Sequence, residues 1–264
     1  MSRQNAPFNS LEEIERLERV PLARRLAAGS TYALLQKAVA SSPQQPARSF
    51  LSPGGQFQPD EALTAHAFLG KVHQTANLLA DLGLGPQDAM ALLLPDLLET
   101  QILFWGGQAA GIVCPIPPWL PDLQVVELLQ AAQTKVLVVP SPSLDQEMWQ
   151  KAEQVRRQVK SIALVLQVRG PGKERDSAYA FNALIEDYPA DRLHTGREIA
   201  LDDVAVSFLS RDRTGTPGLL PLSHGHLLYI AWALGLVTTL TQEEVLLRSL
   251  SRFLQRCWCL AAGS

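Results

Sequence analysis

Residues 210–218 have the chemical groups that a phosphate-binding loop needs. The candidate ligands are small or hydroxyl-bearing, and they are Ser210, Thr214, Gly215, Thr216 and Pro217. Glycine lets the chain turn tightly, and exposed backbone N–H groups and hydroxyls can donate hydrogen bonds to phosphate oxygens. Glycine, proline and serine are equally typical of a simple surface hairpin. The pattern therefore predicts a phosphate cradle, with a plain hairpin turn as the alternative.

A strand and a helix are predicted to flank this loop. Residues 204–209 are a compact apolar run with β-branched members, which is typical of a short buried strand. Ser223 is a suitable N-cap for a helix that continues to residue 236. Ligands of α/β proteins bind beyond the carboxyl ends of the strands. The loop follows such an end, which favours the interpretation as a binding site.

The rest of the chain alternates between helix-like and strand-like segments. Helices are predicted at 11–20, 31–39, 64–82, 99–110, 123–132, 144–159 and 180–186. Strands are predicted at 47–51, 89–94, 112–116, 135–139 and 162–168, with a hairpin turn at Gly54-Gly55 leading into 56–58 and a solvated linker at 169–177. This order, with near-continuous apolar strands, indicates an α/β fold in which parallel-type sheets are flanked by helices.

Composition excludes several classes of protein. The 264 residues are 47% hydrophobic and 19% charged, as in an ordered globular protein, and the formal net charge of −3 comes without a basic face that would suit nucleic acid. Three cysteines are too few and too unevenly spaced for a disulfide framework, which favours a reducing cytoplasm. The N-terminus has no signal-peptide core, and no apolar stretch reaches the length of a transmembrane segment.

Two histidines invite a metal-site hypothesis that the sequence does not favour. His66 and His73 are seven residues apart on one predicted helix, but no cysteine or carboxylate stands near them at ligand spacing. We therefore predict no metal site, and we expect both histidines to be partly exposed helix residues.

Residues 63–139 resemble the N-terminal part of the adenylate-forming (AMP-binding) ligases. The matching pieces occur in order, and they read Ala76-Asn77-Leu78-Leu79, Gly83-Leu84-Gly85-Pro86-Gln87-Asp88, Ala91-Leu92-Leu93-Leu94-Pro95 and Gly111-Ile112-Val113 followed by Pro115-Ile116-Pro117-Pro118. The sequence of residues 111–118 is most similar to the corresponding segment of bacterial fatty-acyl-CoA synthetases. The resemblance implies a helical lead-in at 1–30 and an incomplete N-terminal ligase domain at 31–264.

The loop after residue 209 departs from the pattern of that family, which reads Ser-Gly-Thr-Thr-Gly-x-Pro-Lys-Gly. Asp212 stands where the family has its first glycine, and Gly218 stands where it has lysine. Two like charges about 4 Å apart repel by roughly 4 kcal/mol at an effective dielectric constant near 20, so a carboxylate beside triphosphate weakens binding. Arg211 and Arg213 can offset part of this repulsion. Weakened or lost ATP binding is the expected result.

The resemblance implies a ligase that uses ATP and Mg²⁺ to adenylate a fatty acid or another carboxylate, with CoA as a possible acceptor. It also implies that His224 lies near the substrate, and a simple hydrogen bond at the helix start is the alternative. The family's adenine-binding segment, hinge and C-terminal domain find no counterpart in the sequence, and the composition of 255–260 shifts abruptly, as in a truncated or frame-shifted product.

Two functions therefore remain. One is the N-terminal portion of an ATP-dependent acyl-CoA synthetase that is impaired or inactive as this chain alone. The other is a non-catalytic α/β remnant that binds a ligand weakly or interacts with proteins. Self-association through uncovered sheet edges is expected in both cases.

Overall fold

The computed structural model describes residues 10–50, 61–171, 174–175, 178–211 and 217–237. The helices are α1 (Leu11–Glu18), α2 (Leu22–Arg25), α3 (Thr31–Ser41), α4 (Ala65–Asp81), α5 (Leu98–Ala110), α6 (Asp122–Ala131), α7 (Gln146–Arg156), α8 (Phe181–Leu184) and α9 (His224–Val237), with a 3-10 turn at Ile185–Asp187. The strands are β1 (Pro46–Phe50), β2 (Glu61–Thr64), β3 (Ala89–Leu92), β4 (Ile112–Pro115), β5 (Thr134–Pro140), β6 (Leu164–Val168), β7 (Glu174–Arg175), β8 (Ala178–Ala180), β9 (Val204–Arg211) and β10 (Pro217–Ser223).

Eight of these strands form one sheet, in the order β10-β9-β4-β3-β5-β6-β8-β7. The six inner strands are parallel to one another, and among the described strands of this sheet antiparallel pairing occurs only where β10 and β7 join the two ends. Strands β1 and β2 form a separate antiparallel pair. The predicted α/β fold with a parallel-type sheet is confirmed.

Strand β3 lies at the centre of this sheet and is buried on both faces. Met90 and Leu92 belong to one hydrophobic core, and Ala89 and Ala91 belong to the other. None of the four side chains is more than 4% exposed. A strand covered by helices on both faces needs apolar residues at every position, which is why an apolar run predicted it.

The helix ends follow the capping residues that the sequence indicates. The Thr64 hydroxyl accepts a hydrogen bond from the Ala67 N–H at 3.2 Å and caps α4. Gly83 follows the same helix with φ +86°, a conformation that glycine adopts without strain. Ser10 caps α1 by accepting from the Glu13 N–H at 3.2 Å.

The predicted hairpin turn at Gly54-Gly55 and the strand at 56–58 lie outside the described residues, and the partner of β1 is residues 61–64. One prediction about the connections is wrong. The segment 169–177 was expected to be a linker, but residues 174–175 pair with β8, and β8 extends the sheet by pairing with β6. These strands are only two and three residues long, too short to leave a periodic signal in the sequence.

Polar side chains of α4 hold the connection between α8 and β9. His73, Gln74 and Asn77 form hydrogen bonds of 2.7–3.1 Å with main-chain groups of residues 188–194. The expectation that His73 is partly exposed is wrong, because only 3% of its surface is exposed. Its Nδ1 faces the carbonyl oxygen of this segment, so Nε2 is free to accept from the Tyr32 hydroxyl at 2.9 Å. His73 therefore has a structural role.

Within the part of the chain that the structure describes, no group of three or more His, Cys, Asp or Glu side chains could hold a metal ion. Among the same residues, no helix is long and apolar enough to cross a membrane.

Two helical glycines give a prediction about stability. A Cβ atom on Gly106 in α5 would lie 2.6 Å from Thr75 side-chain atoms in α4, because the two helices approach closely there. We expect Gly106→Ala to lower the free energy of unfolding by roughly 1–3 kcal/mol through overpacking. Gly235 in α9 has no atom within 4 Å of such a Cβ. Gly235→Ala should instead stabilise the helix by up to about 1 kcal/mol.

Urea unfolding of the two variants beside the wild-type protein measures both effects. Each change adds one methyl group to a helix, so each variant is the matched control of the other. A Gly106→Ala protein as stable as the wild type would contradict the close approach of α4 and α5.

Candidate functional site

The predicted phosphate loop lies at the tip of a β-hairpin. Strands β9 and β10 are antiparallel, with Arg211 opposite Pro217 and Ser210 opposite Gly218. The predicted ligands Thr214, Gly215 and Thr216 lie in the tip at 212–216, outside the described residues. The hairpin alternative is thus confirmed for the strands on either side of the tip, and a hairpin remains compatible with a phosphate-binding tip.

The sequence did not predict strand β10. The loop was expected to run to Gly218 and to lead into a helix, but residues 217–223 form a strand first. Leu219 packs against one hydrophobic core and Leu222 against the other, so both faces of the strand gain from burial. Pro217, Gly218 and Pro221 are typical of turns, which is why the pattern indicated a loop. Because β10 is an edge strand, it tolerates proline.

The base of the hairpin has one exposed and one half-buried residue. Ser210 is exposed, Gly218 is half-buried, and no described atom lies within 4 Å of a Cβ atom built on Gly218. The role of these residues in binding phosphate stays a prediction.

Helix α9 starts directly after β10 with a reciprocal pair of capping contacts. The Ser223 hydroxyl accepts from the His226 N–H at 3.2 Å, and the Ser223 N–H donates to Nδ1 of His226 at 3.1 Å. This is the arrangement of a capping box, with histidine in the position that Glu or Gln usually fills. The prediction that Ser223 is the N-cap is confirmed.

The start of α9 is also tied to the chain before β9. The N–H groups of His224 and Gly225 donate to the carbonyl oxygens of Asp203 and Leu201 at 3.0 and 2.7 Å. Asp203 in turn accepts from Arg197 at 3.0 Å. Burial raises the pKa of the Asp203 carboxyl, but hydrogen bonds from the Ala200 N–H and Arg197 outweigh burial and lower it overall. This carboxylate is therefore ionised at neutral pH.

The ring of His224 is buried between three helices. Its Nδ1 lies 2.8 Å from the Thr31 hydroxyl and 3.3 Å from the Thr31 N–H, and the same hydroxyl lies 3.0 Å from Oε1 of Gln108. Because Nδ1 accepts from a main-chain N–H, the proton of the neutral ring is on Nε2. Among the described residues, Nε2 has no partner within hydrogen-bond distance. The contact of His224 with a substrate stays a prediction.

The same surroundings keep this ring neutral. Burial, and next the positive charge of Arg197, lower the pKa of His224 to about 4, while Asp203 and the main chain of Gln108 oppose the shift. The imidazole is uncharged at neutral pH, so it acts in hydrogen bonding and not as a counter-charge for phosphate.

A second polar group at the carboxyl ends of the strands was missed by the sequence analysis. Glu99 and Arg169 form a two-point ion pair of 2.7 and 3.0 Å, and Asn182 donates to the same carboxylate at 3.1 Å. Burial raises the pKa of Glu99, but the hydrogen bonds from Arg169 and Asn182 outweigh it, and the pKa is lowered. Arg169 has φ +57°, which is uncommon for a residue with a side chain.

This ion pair is separate from the hairpin. Arg169 follows β6, which is four strands from β9 in the sheet, so the two sites lie on the order of 19 Å apart at the usual spacing of strands. The sequence does contain a signal for this ion pair, since the charged residue Arg169 comes directly after the apolar run that forms β6. Glu99 lies just beyond β3, so the parallel arrangement brings both charges to one edge.

The chain is similar to known proteins that use adenylates. A family model described as AMP-binding enzyme matches residues 35–259. A curated relative, the marinolic acid–CoA ligase of Pseudoalteromonas sp. (strain SANK 73390), is 24% identical over 218 residues, which cover 81% of this chain and 32% of that protein. The chain therefore spans about a third of the length of this relative.

Solved structures share the fold. A long-chain-fatty-acid-CoA ligase (FadD1) from Archaeoglobus fulgidus superposes with a TM-score of 0.68 at 17% identity, over 82% of this chain and 41% of that one. The anthranilate CoA ligase AuaEII, solved with anthranoyl-AMP, superposes with a TM-score of 0.65 at 20% identity, over 82% of this chain and 38% of that one. The resemblance seen in the sequence is thereby confirmed: because the family model matches most of its length, the chain belongs to the family of AMP-binding enzymes.

Proposed function

We propose that the chain is the N-terminal portion of an ATP-dependent carboxylate–CoA ligase, with a fatty acid as the carboxylate and with nucleotide binding weakened. The observation that supports this proposal most directly is the hairpin at the carboxyl end of β9. At its base Ser210 is exposed, and a side chain at Gly218 would meet no described atom. In such a reaction the carboxylate displaces pyrophosphate from ATP, and the acyl-adenylate then passes its acyl group to the CoA thiol.

In this proposal the hairpin binds and orients the triphosphate. Ser210, Thr214 and Thr216 offer hydroxyls, Gly215 allows the backbone to approach the phosphates, and Pro217 fixes the return of the chain into β10. Electrostatic stabilisation of the reacting phosphate needs positive groups in addition. Arg211 and Arg213 are the cations that the sequence places beside the tip.

The same residues limit the activity of this chain alone. Asp212 brings a carboxylate toward the phosphates, and Gly218 removes the family's cation. They favour the second candidate, a non-catalytic remnant that binds nucleotide or acyl ligand weakly or interacts with proteins. The domain division at residue 30, a cytoplasmic location, Mg²⁺ as the accompanying ion and self-association belong to the proposal as expectations that follow from the sequence.

Ligand binding and isotope exchange separate the two candidates. We expect the folded chain to bind ATP weakly in isothermal titration and to give slow pyrophosphate exchange with at least one fatty acid of a panel, whereas a folded remnant gives no exchange with any of them. Exchange above background with any of these acids would exclude the remnant. A folded chain with no measurable ATP binding would instead contradict the ligase proposal.

Restoring the family residues should strengthen nucleotide binding. The double variant Asp212→Gly, Gly218→Lys removes a negative charge and adds a positive one, and the open space at residue 218 accommodates the lysine. We expect ATP affinity to rise by at least about tenfold, since each change of charge near phosphate contributes on the order of 1 kcal/mol or more to the binding free energy. Isothermal titration measures the change.

Leu220→Lys is the matched control for this experiment. Leu220 is 50% exposed on the same strand, two residues further from the tip, so Leu220→Lys adds one positive charge outside the loop and is compared with the single variant Gly218→Lys, which adds the same charge at the loop. An equal gain in affinity from both proteins would show a non-specific charge effect. No gain in the double variant would contradict the alignment of this hairpin with the family's phosphate loop.

A further inference from the structure

We propose that His224, Thr31 and Gln108 form a buried lock that positions the β9–β10 hairpin, so that His224 is a positioning residue for the phosphate loop. The proposal rests on the proposed function only for the identity of the ligand. The lock itself is a property of the fold. It gives His224 a role in the ligand site that needs no direct contact between its ring and a substrate.

The main-chain ladder that joins the hairpin to the parallel strands is short. Among the described residues, β10 pairs with β9, and the ladder between β9 and β4 is a single residue pair, Val113 with Val206. The next ladder in the sheet, between β4 and β3, has four pairs. Side-chain packing of Leu219 and Leu222 on the two cores therefore contributes to the position of the hairpin, and a polar attachment adds to it.

The lock is such a polar attachment, and it ties the end of β10 to helices α3 and α5. His224 is the first residue after β10, and its ring reaches Thr31 at the start of α3. Thr31 then contacts Gln108 in α5, and Nε2 of Gln108 donates to the Phe104 carbonyl oxygen at 3.1 Å. His224 is 0% exposed, Thr31 and Gln108 are each 1% exposed, and water therefore cannot replace these bonds.

The start of helix α9 is held tightly, so the position of His224 determines the position of the end of β10. Gly225 packs against the Leu201 carbonyl oxygen, which a Cβ atom would approach to 3.0 Å. Ser223 and His226 cap the same helix end. The last residue of β10 is thus fixed on both sides, and a shift of the His224 ring moves the strand that leads back to the tip.

Hydrogen–deuterium exchange on the full chain tests the lock without any ligand. We expect His224→Leu to raise exchange at least about tenfold in peptides covering 217–228, with little change in β5, since loss of a local attachment opens a local unit. His224→Asn should restore most of the protection, because its Oδ1 takes the place of Nδ1 as the acceptor for Thr31. Equal increases in both regions, or no benefit from Asn over Leu, would overturn the lock.

A destabilised control separates the lock from general loss of stability. Val155 in α7 is fully buried in the core on the other face of the sheet from the lock, a core on which Leu219 of β10 also packs. Val155→Ala should leave exchange in 217–228 at the wild-type rate relative to β5. If it opens the hairpin as His224→Leu does, the proposal fails.

The pH dependence of stability tests whether the buried His224 ring is uncharged in the folded protein. The charged groups that act on His224 are Arg197 and Asp203. The unfolded chain takes up a proton near the ordinary pKa of 6.5 and the folded chain only near 4, so the unfolded state binds more protons between these values. The melting temperature of the wild type should therefore fall from pH 6.5 to 4 more steeply than that of His224→Asn. Equal slopes would contradict a neutral buried ring.

Titration with ATP and Mg²⁺ links the lock to the proposed function. If the wild type binds ATP, we expect His224→Leu to weaken binding by about tenfold and His224→Asn to recover it, as for coupling through a positioning residue. Unchanged affinity in His224→Leu would overturn the positioning role. No binding by the wild type would refute the nucleotide site. The hydrogen–deuterium exchange experiment would then be the test of whether the lock positions the hairpin.

Discussion

The burial of both faces of the central strands is the constraint on which the rest of the molecule depends. Strands β3 and β5 separate two hydrophobic cores, and helices must cover both of them. Polar side chains that do chemistry therefore have no place along these strands and stand at their carboxyl ends. Glu99, Arg169 and Ser210 are all found at that edge.

Much of the fold follows from the sequence because this constraint acts locally. An inner parallel strand is covered on both faces and is mostly apolar, so β3, β4, β5, β6 and β9 could each be predicted from a short apolar run. The helices between them were predicted from capping residues and from glycines such as Gly83. Strand β10 could not be predicted, because its position depends on cores formed by distant residues, while its own prolines indicate a turn.

The candidate site was predictable in place but not in its surroundings. The loop could be located from the types of residue at 210–217, since a turn after a buried strand is a local feature. The partners of His224 and Glu99 could not be located, because Thr31 is 193 residues from the one and Arg169 is 70 residues from the other. No local pattern contains such a pair, and side-chain contacts of this kind appear only when the chain has folded.

The position of the hairpin at the end of the sheet also bears on self-association. An uncovered edge invites a second chain to pair only if it offers a long row of free N–H and C=O groups. Strand β10 has Pro217 and Pro221, which lack N–H groups, and β7 at the opposite end has only two residues. At the two ends formed by the described strands, the row of free N–H groups is therefore short or interrupted. The same prolines that made β10 look like a turn in the sequence interrupt its row of N–H groups.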